Sequence, residues 1–234
     1  MSSNEFNLSS ICLAVTSSAV CWTVMYLCLV RSKVFKQMAE VCCRIVTLVH
    51  AVVAVVLSAL CYWQGPDPYS YPGEPNTLLQ DVTLTVSLGY FWFDLGWCLI
   101  HQTEPAIMLL HHLASLVSIG MVLLGRTSGG EAVAGILSLE VTNPLLQIRW
   151  FLRTAGYNKS LIHTLVEILF VISFVVVRLG IGSYLTYCVV FNGKPKIAVK
   201  CCCFSLYLIS LAFVFYIVKF IKKKYVKSKE RSSD

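Results

Sequence analysis

Seven stretches of about twenty predominantly apolar residues, joined by short polar connections, occupy almost all of this 234-residue chain. They lie at approximately Ser9–Val30, Cys42–Tyr62, Asp81–Ile100, Ala106–Leu124, Glu131–Leu152, Leu161–Tyr184 and Val199–Ile221. A run of this length spans the hydrocarbon core of a bilayer as a helix. Together the runs leave no room for a large soluble domain. Composition agrees, with 57% hydrophobic and only 13% charged residues, where a soluble domain carries about 25%. The mean hydropathy is +0.72. The reading is an all-α integral membrane protein of about seven transmembrane helices. The first run lacks a basic flank on its N-terminal side and is too long for a signal-peptide core, so it is expected to be a true span.

The net charge of +7 does not indicate nucleic-acid binding, because seven of the nineteen basic residues fall in the last sixteen positions. Lys222, Lys223 and Lys224 follow the final apolar run directly. They read as a stop-transfer flank at the cytoplasmic face, with recruitment of anionic lipid as the sharper alternative. The connection after the first run holds Arg31, Lys33, Lys36 and Arg44, and that after the fifth holds Arg149, Arg153 and Lys159. By the positive-inside rule these connections and the C-terminus are cytoplasmic. Lys194, Lys196 and Lys200 disagree, falling on the opposite side. Residues 64–76 (QGPDPYSYPGEPN) form a loop with turn chemistry throughout. The sequon at Asn7 would face the lumen, close to the membrane. An endomembrane, ER or Golgi, is expected rather than the plasma membrane.

The eleven cysteines show no CxxC pair and no disulfide-framework spacing. Cys42 and Cys43 sit at a membrane edge, where palmitoylation is possible. Trp22, Trp63 and Trp150 read as interface anchors.

The chemistry lies in the ionisable residues inside the apolar runs, because such residues are costly in a bilayer and mark functional sites by default. His111 and His112 stand together in the fourth run. At a rise of about 1.5 Å per residue, His50, Asp94, the histidine pair and Glu167 all fall roughly 8–11 Å below the cytoplasmic surface, with Glu140 a little deeper. At 100° per residue the helix faces converge. Thr83, Ser87, Tyr90, Asp94 and His101 share one stripe; His111, Ser115 and Ser118 another; Glu140, Asn143, Pro144 and Gln147 a third; His163, Glu167 and Arg178 a fourth. Turned inward, these stripes enclose a polar chamber suited to an amphiphile. His111 is expected in the chamber and His112 on the flank, with Asp94 fixing a histidine tautomer for general-base work. Arg149 reads as structural. No HExxH spacing occurs. A site built from His50, His111 and Asp94 is weighed, but no metal is expected.

HHLAS (His111–Ser115) followed by LEVTNPLLQIRWFL (Leu139–Leu152) resembles the TLC domain family of multi-pass membrane proteins. His50 in VHAVVAV, Asp94 in GYFWFDL and Arg178 in VVVRLG look like further parts of its pattern. The resemblance implies an N-terminal helix over residues 1–32, a six-helix TLC barrel over 33–225 and a basic tail over 226–234. It implies a protein that binds or senses membrane lipid, of fatty acyl or sphingolipid type, and influences lipid homeostasis. The alternative is an acyl-CoA-dependent acyltransferase of ceramide-synthase type. There His111, His112 and Asp94 would be catalytic and acyl-CoA a co-substrate, with no other cofactor. His50, Tyr90, Ser115, Glu140, Asn143, Glu167 and Arg178 would line the chamber. Ceramide synthases continue from the histidines to an HDxxD-like element, whereas this chain reads LSLEVTNPLLQIR with no His-Asp pair.

Overall fold

The computed structural model describes residues 8–36, 38–102 and 104–230, with side chains to Lys224. The sequon residue Asn7 lies outside them. The chain forms α1 (Leu8–Arg31), α2 (Ala39–Gln64), α3 (Leu78–His101), α4 (Ala106–Gly125), α5 (Gly129–Glu140), α6 (Asn143–Thr154), α7 (Leu161–Val176), α8 (Gly182–Phe191) and α9 (Ile197–Glu230). A π-helical turn, Val177–Ile181, joins α7 to α8 without a break. Six of these stretches are long and apolar enough to cross a membrane: α1 to α4, the continuous Leu161–Phe191, and α9 as far as Lys224. The protein is an all-α, multi-pass membrane protein.

The fifth expected span is not one helix. It divides into α5 and α6, each of 12 residues. Pro144, in the first turn of α6, has no amide hydrogen, and its ring excludes a helical carbonyl four residues earlier. That residue is Glu140, the last of α5. The pair nevertheless runs the length of α2. Gly130 packs beside Pro66 and Pro68 just past the end of α2, and Gln147 meets Arg44 near its start. α5 and α6 thus form one broken pass.

The packing closes a ring. α2 touches α3, α3 touches α4, α4 touches α9, and α9 touches α7 and α8; α7 packs on α6, α8 on α5, and both α5 and α6 lie on α2. α9 therefore inserts between α4 and α8, out of chain order. α1 stands outside the ring against α3 and α2. Buried positions of the ring include the polar Ser58, Thr83 and Ser87 beside the apolar Val46, Leu84 and Leu123, whereas Trp63 and Phe191 are exposed.

One end, here the loop end, is sealed by residues 64–76. Thr77 starts α3 with a capping box, its hydroxyl accepting from the Gln80 amide while the Gln80 side chain accepts from the Thr77 amide. Arg126 reaches the buried Asp81 at 2.5 Å, and Asn76 donates to the same carboxylate at 2.8 Å. The Gly73 amide donates to Glu131 at 2.6 Å. Gly73 has φ +87, and a Cβ there would press on Lys194 and the Pro195 backbone nitrogen. Lys194 itself pairs with Glu74, so one of the cations that disagreed with the charge rule is neutralised within this end. The opposite, basic end carries Arg44, Arg149, Arg153 and, on α9, Lys219, Lys222, Lys223 and Lys224.

α1 is held by close approach rather than burial. A Cβ at Gly89 of α3 would lie 2.4 Å from the Ser18 hydroxyl oxygen and 2.7 Å from the Ala19 backbone nitrogen. This is the small-residue contact that membrane helices use in place of a hydrophobic driving force. Ser18 and the Trp22 indole both donate to the Val86 carbonyl. Gly89→Val is expected to push α1 off α3, at the roughly 1–3 kcal/mol typical of overpacking. The checks are a lower thermal midpoint in detergent and loss of a disulfide engineered between α1 and α3.

Candidate functional site

α3 and α4 place the central groups. Tyr90 and Asp94, one turn apart, face inward with Thr83 and Ser87, and all four are buried. The Tyr90 hydroxyl donates to the Thr47 oxygen of α2 at 3.0 Å. On α4, His112 is buried and its Nδ1 lies 3.4 Å from an Asp94 carboxylate oxygen. The two lie close together without the alignment of a hydrogen bond. His111 is half-buried, its Nδ1 has no hydrogen-bond partner among the described residues, and its ring meets Phe213 of α9 edge-on at 5.8 Å. The histidine that Asp94 faces is thus His112, the one expected on the flank, and both histidines line the cavity. Adjacent helical positions point about 100° apart, and the neighbour on the α3 side happens to be His112.

These residues line a cavity of about 550 Å³ whose wall includes Asp94, His111, His112, Glu140, Asn143 and Arg178. It reaches the basic end, where Glu40, Arg44, Glu104, Arg149 and Arg153 stand on its wall. α5 and α6 contribute a polar relay across the break. Asn143 donates to Glu140 at 2.9 Å, Gln147 donates to Asn143 at 2.9 Å, and Arg44 donates to Gln147 at 3.4 Å. The stripe read as one helix face survives because the relay bridges the interrupted backbone. Arg44 also meets Glu40 at 3.1 Å and Glu104 at 3.7 Å and covers the Trp150 ring at 4.5 Å. Glu104 lies in the connection between α3 and α4, where burial pushes its carboxyl above the usual glutamate range against the pull of Arg44.

Several expectations are corrected. His50 is fully buried, stacked on Tyr90 at 3.7 Å and edge-on to Trp22 at 5.6 Å. It sits behind the cavity wall as a packed ring, with its Nδ1 3.9 Å from Glu140. Trp22 is correspondingly a helix-packing residue and not an interface anchor. Ser115 is buried but lines a second, smaller cavity toward the loop end. His101 leaves its stripe: it is exposed and stacked on Trp97 at 4.2 Å. Cys42 and Cys43 are both buried, and Cys43 points its thiol toward Asp94 at 4.0 Å, so neither offers an accessible palmitoylation site.

Glu167 lines the cavity near its basic end, where it pairs with Arg149 at 2.9 Å and with Lys224 of α9. His163 and Arg178 are buried with it, as the α7 stripe predicts. Arg149 is thus part of the rim, tied to the carboxylate. Arg44 and Glu104 were not legible as site residues, since nothing in the sequence separates them from flanking charges.

The His50, His111 and Asp94 metal set does not assemble, because His50 is behind the wall. Instead Asp94, Cys98 and His112 bring donor atoms within 4.8 Å of one another. Their donor types suit zinc, but ligands around a tetrahedral zinc lie roughly 3.3–3.8 Å apart, so binding would require the trio to contract.

Two outcomes follow for the rim. Glu167→Ala leaves two cations facing each other beside a buried position, and is expected to lower the detergent thermal midpoint by the equivalent of about 3 kcal/mol, with Glu167→Asp partly restoring it. Glu104 has a folded-state pKa above its unfolded one, so its contribution is complete at low pH and is lost as pH rises through the folded value. Glu104→Gln should therefore match the parent in acid and exceed it in thermal midpoint as pH rises.

With this geometry in hand, the relationships are clear. The family model described as TLC domain matches residues 40–223, which contain the whole ring and every cavity-lining residue named above. The chain is 26% identical over 151 residues to TLC domain-containing protein 2 of Danio rerio, covering 62% of this chain and 60% of that one. It is 28% identical over 127 residues to TLC domain-containing protein 4-B of Danio rerio, covering 53% of this chain and 46% of that one. The matched region is thus less than two thirds of either relative's length. The extent of the family match, with the ring of helices inside it, shows that the chain belongs to the TLC domain family.

Proposed function

We propose that this protein binds a membrane lipid inside its helical ring and thereby influences membrane lipid homeostasis. The observation that carries this is the cavity of about 550 Å³. Its wall combines ionisable groups with Phe170, Phe174, Phe213 and Ile217, the two chemistries an amphiphile requires. The head would sit among Asp94, His111, His112, Glu140 and Arg178. The charged rim at the basic end would steer it, and anionic lipid at Lys222–Lys224 would hold that end against the membrane surface. We place the C-terminus in the cytoplasm and the protein in the ER or Golgi.

A second reading is favoured by the 3.4 Å contact between His112 Nδ1 and Asp94. A small rotation of the ring would let Nδ1–H donate to the carboxylate and leave the lone pair of a general base on Nε2. An amine or hydroxyl acceptor would attack the thioester carbonyl of an acyl-CoA while Nε2 takes its proton. The C–S bond then breaks, and the CoA thiolate leaves and takes up the proton. His111 would contact the acyl group and Asp94 would orient the base.

Purified protein analysed by lipid mass spectrometry should carry stoichiometric lipid, and an empty cavity would overturn the binding reading. Incubation with radiolabelled acyl-CoA and a panel of amine and lysolipid acceptors separates the two. Product that falls at least about 100-fold in His112→Ala and Asp94→Asn establishes transfer. Bound lipid with no product across the panel leaves binding as the function.

A further inference from the structure

The cavity does not end at the histidines. A second, smaller one of about 110 Å³ continues toward the loop end, with Ile119, Val122, Ile136, Leu185 and Val189 on its wall. Phe91, Leu139 and Arg178 line both. Arg178 therefore stands at the throat between a polar chamber and an apolar compartment. It lies on the π-helical turn Val177–Ile181, a local widening of the kind often found at functional sites.

The side chain is only 7% exposed, yet all its contacts are neutral. Nη1 donates to the Ser210 hydroxyl at 3.1 Å, Nη2 to the Leu139 carbonyl at 3.0 Å, and the guanidinium covers the Phe174 ring at 4.8 Å. Among the described residues its Nε–H has no hydrogen-bond partner. Among the described residues no carboxylate lies in ion-pair contact with it. Glu140, within electrostatic reach, instead accepts from Asn143 and faces His50. A guanidinium deep in an apolar bundle normally has a counter-ion. On the same chamber wall is His111, whose buried Nδ1 is also without a hydrogen-bond partner among the described residues.

We propose that this throat binds the carboxylate of a free long-chain fatty acid, held by Arg178 on the wall it shares with His111, the first few carbons of the hydrocarbon chain entering the apolar compartment and the rest leaving through its open side. This rests on the lipid-binding reading above and names its ligand. Donor inventory selects the head group. Nε–H and a neighbouring Nη hydrogen form a side-on fork that matches the two oxygens of a carboxylate. A phosphate monoester brings more oxygens and more charge than this fork and one imidazole satisfy. An alcohol or ester leaves the cation uncompensated, and a protonated sphingoid amine is repelled by it.

The test uses the full chain in nanodiscs with radiolabelled oleate. Unlabelled oleate should displace the label, while oleyl alcohol, oleoyl lysophosphatidate and sphingosine should be at least tenfold weaker competitors. Arg178→Gln should lose oleate binding at least tenfold, with Arg178→Lys intermediate. Should Arg178→Gln fail to fold, Gly135→Leu supplies the second arm. Gly135 lines the apolar compartment and a Cβ there meets nothing within 4 Å, so the variant should fold and lose oleate binding at least tenfold. Oleyl alcohol or lysophosphatidate competing as well as oleate, or oleate affinity unchanged in Arg178→Gln or in Gly135→Leu, overturns the proposal. If other lipids bind while oleate does not, this assignment alone falls; if none of the lipids binds, the lipid-binding reading falls with it.

Discussion

A charge inside an apolar helical bundle is tolerable only when something compensates it, and the distribution of compensation organises this molecule. At the loop end Asp81 has Arg126 and Asn76, and Glu131 has the Gly73 amide. At the basic end Glu167 holds Arg149 and Lys224 together, binding α6, α7 and α9. Both ends are therefore laced by contacts between elements distant in sequence. Between them lie groups with fewer partners: His111, the His112–Asp94 contact, and Arg178 among neutral neighbours. Paired charges thus lie at the two ends, and chemical capacity in the layer between them.

The break between α5 and α6 serves the same division. A continuous helix there would carry Glu140, Asn143 and Gln147 in regular register on its own. The turn at Val141 and Thr142 interrupts the backbone ladder beside the cavity, and the side-chain relay from Glu140 to Arg44 spans the gap. Pro144 forces the interruption, so a single residue accounts for both the shortened helices and the polar crossing. The π-helical turn before Gly182 plays a comparable part on the adjoining wall, where it carries Arg178.

Much of the site was legible because helical periodicity assigns faces. Tyr90, Asp94, Glu140, Glu167 and Arg178 were each placed on an inward stripe, and each is buried. The readings that changed concern what lies opposite a face. His50 was placed at the right depth and is inside, but Tyr90 and Trp22 pack over it and remove it from the cavity. His101 lies beyond the point where α4 covers α3, so it emerges on the surface. Arg44 and Glu104 belong to the rim because two helix ends converge there, which no spacing within either segment encodes.

Apolar run lengths, charge asymmetry and the in-membrane ionisable residues by themselves determined a membrane-embedded helical protein with a polar layer near its basic end. That much follows from hydrocarbon thickness and helical rise, which are properties of single segments. Tertiary structure alone decided that α9 closes the ring between α4 and α8, that Asp94 meets His112, and that Arg178 divides two cavities. Each of those depends on which helix becomes the neighbour of which. Neighbours are chosen by the packing of whole faces, as where Gly89 admits Ser18, and that information is spread over elements far apart in the chain.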